Sequence, residues 1–182
     1  FAKENPKIMN IGDMYQRPGF LLRRAHQISS AIFEDACAEL GLTQAQYGVL
    51  VILANEPGID QTQLAYAMGF DKVTTLRVLR GLQTRGLVQR RTSTKSRKHL
   101  ALDLSPEGKQ LLRRAQRPTQ NANERLMAPL SATQQQQLMR LLLRLSDSLN
   151  HEARATLRPV QNALTNPAHA PRRPRDSNAR PG

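Results

Sequence analysis

The sequence predicts a mainly α-helical fold with one small β-hairpin. Apolar residues recur at steps of three and four over most of residues 18–158, as they do on the buried face of a helix. Two short segments, 87–92 and 100–104, instead alternate between apolar and polar residues, as half-buried strands do. The stretch between them, 93–99, contains bases and no acid, and is predicted to be the hairpin loop.

The first long helix is predicted over residues 20–40, because Gly41 is expected just past a helix end. Its apolar stripe consists of Leu21, Ala25, Ile28, Ile32, Ala36 and Leu40. Thr43 is then predicted to cap a second helix, with Gln46 three residues later completing a capping box. That helix, residues 43–56, is apolar on most sides and is therefore expected to be buried.

Two short helices follow, over residues 61–68 and 72–85. Each begins after an aspartate that is predicted to cap it, Asp60 or Asp71, and each is closed by a glycine. The brief turn between them is typical of a helix-turn-helix. The hairpin of residues 87–104 comes directly afterwards and is called the wing. Residues 43–105 are therefore predicted to form a winged helix-turn-helix lobe.

Two more helices are predicted after the hairpin, within residues 106–158. Ser105 is expected to cap the first of them and Pro106 to occupy its first position, while Pro118 is expected to kink or interrupt it. The second begins after Ser131 with another capping box. Its apolar stripe consists of Leu138, Leu141, Leu142, Leu145 and Leu149.

The predicted organisation places helical segments on both sides of the lobe. Residues 1–17 form an N-terminal arm, the first helix lies within 18–42, and the later helices lie within 106–158. The lobe can bury its own helices, so the terminal leucine stripe needs a second chain as its partner. The final segment, 159–182, is rich in Pro, Asn, Ala and Arg and is predicted to be a basic disordered tail.

The charge of the chain indicates a polyanionic partner. Lys and Arg number 27 against 14 Asp and Glu, which gives a net charge of +13. Residues 71–100 hold nine of these bases and one acid, Asp71, and therefore carry +8 of the total. Like charges this close repel one another, so double-stranded DNA is the expected partner.

The helix 72–85 is predicted to enter a DNA groove. By helical phase, one of its faces is apolar and packs inward. On the other face, basic side chains alternate with apolar ones, which suits contact with phosphates and thymine methyl groups in a major groove. The basic loop suits a narrow minor groove, with Arg97 inserted. The residues predicted to contact DNA are Gln61, Thr62, Lys72, Val73, Thr74, Leu76, Arg77, Arg80, Arg90, Arg91, Lys95, Arg97 and Lys98.

Enzymatic function is not expected, and neither a cofactor nor a metal ion is predicted. The four histidines and Cys37 lack the spacing of metal ligands, and neither a phosphate-binding loop nor a nucleophile motif is present. Cys37 lies beside an apolar stripe with acids nearby, which favours a buried structural thiol over a peroxide sensor. A single cysteine, the polar start of the chain and the lack of a long apolar run predict a cytoplasmic protein.

The order of these elements resembles the MarR family of dimeric winged-helix transcription regulators. The resemblance extends over residues 18–150 and is carried by LTQAQYGVLVIL (42–53), QTQLAYAMGFDKVTTLRVLRGLQTRGLVQRR (61–91) and LDLSPEGKQLL (102–112). The most specific piece is LxxxGLVxR, which begins at Leu82. The resemblance implies a homodimeric DNA-binding repressor of a palindromic operator, with the first helix (18–42) and residues 106–158 as its dimerisation region. The wing departs from the family pattern, since Lys95 stands where an acid commonly precedes the tip arginine.

The run RRAHQ in the first helix resembles, more narrowly, regulators of nicotinate and related aromatic-acid breakdown. This resemblance implies a small aromatic carboxylate effector, such as a hydroxylated nicotinate, that releases the protein from DNA. The residues expected to bind it are Arg23, Arg24, His26 and Tyr47. Because helical directions differ by about 100° per residue, the three basic side chains cannot all face one pocket. The alternative is that they are ordinary exposed residues of a helix.

Two other functions compete with a specific repressor. A non-specific architectural nucleic-acid-binding protein would also use the basic tail, which holds Arg172, Arg173, Arg175 and Arg180. A membrane-surface protein is less favoured, because the predicted helices do not carry a lysine-rich polar face. Strong preference for one DNA sequence would distinguish the repressor from both.

Overall fold

The computed structural model describes residues 10–92 and 100–160, and has the predicted mainly helical fold with a small antiparallel sheet. Its helices are α1 (Ile11–Tyr15), α2 (Pro18–Ala36), α3 (Gln44–Asn55), α4 (Gln61–Met68), α5 (Lys72–Thr84), α6 (Pro106–Met127) and α7 (Ala132–Ser148). Short 3-10 helices cover Ala38–Leu40 and Asn150–Glu152. The strands are β1 (Ile59–Asp60), β2 (Val88–Thr92) and β3 (Leu100–Leu104).

The predicted hairpin is confirmed, and a third strand joins it. Strands β2 and β3 pair antiparallel, with Val88 opposite Leu104 and Thr92 opposite Leu100. Strand β1, which the sequence does not predict, pairs with the other edge of β3 and places Ile59 opposite Leu102. The loop of the hairpin, 93–99, lies outside the described residues.

The five predicted N-terminal caps are confirmed by their hydrogen bonds, whereas the first long helix starts at Pro18, two residues before its predicted start, and lacks a side-chain cap. Capping boxes close the N-termini of α3, α4 and α7, with Thr43, Asp60 and Ser131 as the capping residues. Asp71 and Ser105 cap α5 and α6 through their side chains. These caps satisfy amides that a helix leaves unpaired, which is why short local sequence patterns locate them well.

The first long helix ends earlier than predicted. Helix α2 runs from Pro18 to Ala36, and the 3-10 helix that follows ends at Gly41, which adopts φ 56°. The predicted single helix to residue 40 is wrong in its last turn, because the chain tightens there while Cys37 and Leu40 enter the core. The short helix α1 lies in the segment predicted to be an arm.

The predicted interruption at Pro118 is also wrong, since α6 continues through it to Met127. A proline removes one backbone donor, here the one that would meet the carbonyl oxygen of Arg114 one turn earlier. Ala115, Thr119 and Ala122 are all buried on one side of the helix. Packing of this face offsets the cost of the proline.

The core packs α3, α4, α5 and the sheet against the end of α2 and the first half of α6. Its fully buried side chains include Leu50, Leu53, Leu64, Leu79, Leu82 and Leu102. Helix α7 contributes none, and its predicted leucine stripe lies open in the single chain, with Leu141 52% exposed and Leu149 50% exposed.

After α7 the chain turns back onto α4 in a segment that we call the C-terminal clasp, residues 150–160. The side-chain amide of Asn150 donates to the carbonyl of Leu157 at 2.8 Å and accepts from its amide at 2.9 Å. The amide of Arg158 donates to the carbonyl of Tyr66 at 2.8 Å, and Val160 packs against the core. The docked chain thus extends two residues beyond the predicted start of the tail, and residues 161–182 lie outside the described part.

Candidate nucleic-acid interface

Helix α5 has the two faces that its sequence predicts. Thr75, Val78, Leu79 and Leu82 are buried against the rest of the lobe. The opposite side is open, with Val73 76% exposed and Leu76 37% exposed. Exposed apolar side chains between basic ones are costly in water. They suit contact with the methyl groups of thymine in DNA. The exposed bases of this face are Lys72, Arg77 and Arg80.

The N-terminus of α5 carries its own anion. The carboxylate of Asp71 accepts a hydrogen bond from the amide of Thr74 at 2.7 Å. This amide, and after it the side chain of Thr74, hold the pKa of Asp71 below its ordinary value. The ionised carboxylate disfavours a phosphate at this helix end, so we expect phosphate contacts chiefly from side chains along the helix.

The structure brings two predicted DNA contacts together at the edge of the lobe. Gln61, the first residue of α4, accepts a hydrogen bond from Arg90 of β2 at 3.2 Å. The start of α4 and the base of the wing therefore form one surface. Thr62, beside Gln61, is exposed, and Thr74 is half-buried at the start of α5.

Arg91 has a partner within the chain. Its guanidinium forms an ion pair with Asp103 across the hairpin, with Nη2 at 3.3 Å from Oδ1. The Asp103 side chain is only 12% exposed, so this pair neutralises a largely buried charge. Arg91 thus braces the wing, and its contact with DNA stays a prediction. Lys95, Arg97 and Lys98 lie outside the described residues.

Within the described chain, no hydrogen bond, ion pair or ring contact joins the predicted effector residues to one another. Arg23, Arg24 and His26 are exposed on α2, and the guanidinium of Arg23 lies 4.9 Å from the ring centre of Phe20. Tyr47 is half-buried on α3, with its ring centre 5.7 Å from that of Phe33.

Sequence reasoning missed the polar contacts around Tyr47 that join α2, α3 and α6. The Tyr47 hydroxyl lies 3.3 Å from the hydroxyl of Thr119 on α6. One helical turn before Tyr47, the amide of Gln44 donates to the hydroxyl of Ser29 at 2.9 Å. Polar residues on otherwise apolar helices are the only sequence signal of such contacts.

Cys37 is buried, as predicted. Its side chain is fully covered, and burial raises the pKa of the thiol. Within residues 10–92 and 100–160, no cluster of side chains is suited to hold a metal ion. The helices in the same part of the chain are too short or too polar to cross a membrane.

The fold and this surface define a winged helix-turn-helix DNA-binding protein. Residues 42–100 match the model of the MarR family. The chain is 33% identical over 135 residues to a putative transcriptional regulatory protein for the hcr operon of Thauera aromatica, covering 74% of this chain and 81% of the relative. The chain belongs to the MarR family of transcriptional regulators, which are not enzymes. The repressor NicR of Pseudomonas putida is 28% identical, with 75% of this chain and 86% of NicR covered.

Solved structures with the same fold include complexes. The repressor CouR bound to a 23-mer DNA duplex has a TM-score of 0.70 and 28% identity, covering 76% of this chain and 98% of CouR. BpsR of Bordetella bronchiseptica, studied for regulation of DNA binding by 6-hydroxynicotinic acid, has a TM-score of 0.69 and 26% identity, covering 73% and 95%. Rv2887 of Mycobacterium tuberculosis with salicylic acid has a TM-score of 0.56 and 31% identity, covering 71% and 96%.

Proposed function

We propose that this protein is a homodimeric repressor that binds a palindromic operator and is released by a small aromatic carboxylate. The main support for DNA binding is the open face of α5, where Val73 and Leu76 are exposed among three basic side chains. A purely electrostatic DNA-binding surface does not require exposed apolar side chains. A surface that reads base edges gains from them.

The open leucine stripe of α7 supports the dimer. Leu138, Leu141, Leu145 and Leu149 are each between 37% and 52% exposed. Such a continuous apolar stripe on one helix is expected to be covered by a second copy. Two-fold symmetry then presents two copies of α5 to successive major grooves, about 10 base pairs apart, which is why the operator is expected to be palindromic.

The effector proposal places a ligand beside α2, where Arg24 or Arg23 and His26 supply donors and Tyr47 supplies an apolar wall. Arginine suits bidentate binding of a carboxylate. The complexes of Rv2887 with salicylic acid and the regulation of BpsR by 6-hydroxynicotinic acid support an aromatic acid as the class of ligand. Such a ligand lowers DNA affinity only if it binds one dimer shape more tightly than the other.

The DNA proposal is tested by selection from a random duplex library, followed by gel-shift competition. A specific repressor is expected to enrich a palindrome and to bind it roughly a thousandfold more tightly than random duplex. Equal affinity for both duplexes would instead identify a non-specific architectural protein. A footprint on one asymmetric half-site would contradict the dimer.

The effector proposal is tested by a thermal-shift screen with salicylate, nicotinate and 6-hydroxynicotinate. The acid that raises Tm most is then added to a gel shift with the selected duplex, and release is expected. An Arg24→Ala, His26→Ala double variant should lose the response while still binding the duplex. If that variant responds as the wild-type protein does, the residue assignment is wrong.

A further inference from the structure

One arginine links the recognition helix to the end of the first long helix. Arg85 stands at the C-terminus of α5, where Gly86 turns the chain into the wing strand β2. Its Nη2 donates to the carbonyl of Leu40 at 2.8 Å, and its Nη1 donates to the carbonyl of Gly41 at 2.6 Å. Leu40 is the last residue of the 3-10 helix that follows α2, and Gly41 is its C-cap.

The two carbonyls are natural acceptors for a cation. The last carbonyls of a helix lack amide partners within it, and they lie at the negative end of its dipole. The guanidinium supplies two donors in a fixed fork, so it fixes direction as well as distance. Among the side chains of residues 71–85 in the described structure, Arg85 alone hydrogen-bonds to this helix end.

The position of Arg85 separates it from the DNA face. Arg85 is exposed, as Arg77 and Arg80 are, but its helical phase places it nearer to the buried Val78 than to either of them. Its donors are directed at the protein backbone. Arg85 therefore differs in role from the other bases of this region, although its charge alone does not distinguish it from them.

We propose that Arg85 is a positioning residue for sequence-specific DNA binding. It anchors the C-terminal end of the recognition helix to the α2 end of the dimerisation region, so that the spacing of the two recognition helices follows the arrangement of the dimer. The inference rests on the proposed function. It names Arg85 as the residue that transmits a movement of α2 to α5.

Loss of this anchor is expected to affect base contacts more than phosphate contacts, because the two differ in how sharply they depend on distance. Hydrogen bonds to base edges weaken steeply with small displacements, whereas attraction to phosphates tolerates them. A recognition helix released at one end loses base readout in both half-sites. It keeps its sequence-blind affinity, because none of its phosphate-facing charges has been removed.

The test compares Arg85→Ala with wild-type protein on two probes, the duplex selected by the wild-type protein and a random duplex of equal length. We expect the ratio of the two affinities to fall by about tenfold, as coupling residues change such equilibria. The affinity for the random duplex and the salt dependence of its binding should stay at wild-type values. Arg113→Ala, which removes an exposed arginine of α6, is the matched control and should leave the ratio unchanged.

Any one of the following results would overturn the inference. An unchanged ratio in Arg85→Ala would leave Arg85 a purely structural residue. A salt dependence flattened by about one unit would show that Arg85 contacts phosphate. A wild-type protein without any preferred duplex would refute the proposed function itself, and this inference with it. If Arg85→Ala does not fold, Arg85→Lys decides, since it keeps the charge without the two-nitrogen fork, and a wild-type ratio in that variant would refute the inference.

Discussion

Residues with the same charge have different roles in this lobe. Arg77 and Arg80 are exposed on the open face of α5, whereas Arg85 binds backbone carbonyls and Arg91 pairs with Asp103. The net charge of the segment predicts a polyanionic partner, but it does not say which arginines touch that partner. The division follows from what each guanidinium can reach in the folded lobe.

Replacement of Arg77 tests the groove-facing surface. Arg77→Ala is expected to weaken binding to the selected duplex by about 1–3 kcal/mol, roughly five- to 150-fold, because a base contact is lost. Binding to random duplex should change much less. Gel-shift titration measures both affinities, with Arg114→Ala on α6 as an exposed control. Equal losses on the two duplexes would show that Arg77 contacts phosphate only.

The buried thiol gives a prediction of pH dependence. Burial raises the pKa of Cys37, so the thiol ionises in the unfolded chain before it ionises in the folded one. Folding stability from this group is therefore full at neutral pH and falls as pH rises above about 8.5. Denaturant midpoints measured from pH 7 to 10 should fall more steeply in the wild-type protein than in Cys37→Ala.

Labelling of the same thiol tests its burial directly. Iodoacetamide at neutral pH should modify Cys37 slowly in the native protein and rapidly in denaturant. Rapid native labelling, or release of DNA by peroxide in the wild-type protein but not in Cys37→Ala, would identify Cys37 as a redox sensor after all.

At the scale of elements, α7 is the helix that the single chain leaves incomplete. Each of the other helices of eight or more residues buries at least one side chain within the described chain, whereas α7 buries none. Its capping box and leucine spacing form a helix locally, and the proposed second copy supplies the packing. The C-terminal clasp, in contrast, finds its partner on α4 of the same chain.

A charge in the leucine stripe is expected to separate the dimer. Leu141→Lys places an unpaired ammonium in the interface, which should cost about 3 kcal/mol or more, over a hundredfold in the dissociation constant. Sedimentation should then show half the wild-type mass at micromolar concentration. Leu143→Lys, on the opposite side of α7, is the control. Loss of the dimer in both variants, or in neither, would contradict the proposed interface.

At the scale of the whole molecule, the charge of the C-terminal segment is expected to affect DNA affinity without affecting the stability of the fold. The core, the sheet and the clasp lie within the described residues, and the last of these to pack against the core is Val160. Residues 161–182 add four arginines and one acid to the sequence but few large apolar side chains. Their charge can contribute to DNA affinity without contributing to the core.

A chain ending at Val160 tests this separation. Its Tm is expected to equal that of the full chain, since the contacts of Leu157 and Val160 are kept. Its affinity for random duplex should fall, and the slope of log affinity against log salt should flatten by up to about three units, because a net charge of three is removed. A large fall in Tm would show that the removed segment packs against the folded lobe.

The sequence by itself determined the type of most elements, the helix caps and the two faces of α5. Caps and periodicity depend on residues three or four apart, and such signals act whatever the rest of the chain does. The tertiary structure decided the pairing of β1, the tightened end of α2, the passage of α6 through Pro118 and the partners of Arg85 and Arg91. The hydrogen bonds of Arg85 join residues 44 and 45 positions apart. Contacts at that separation exist only once packing brings the segments together, so no local pattern predicts them.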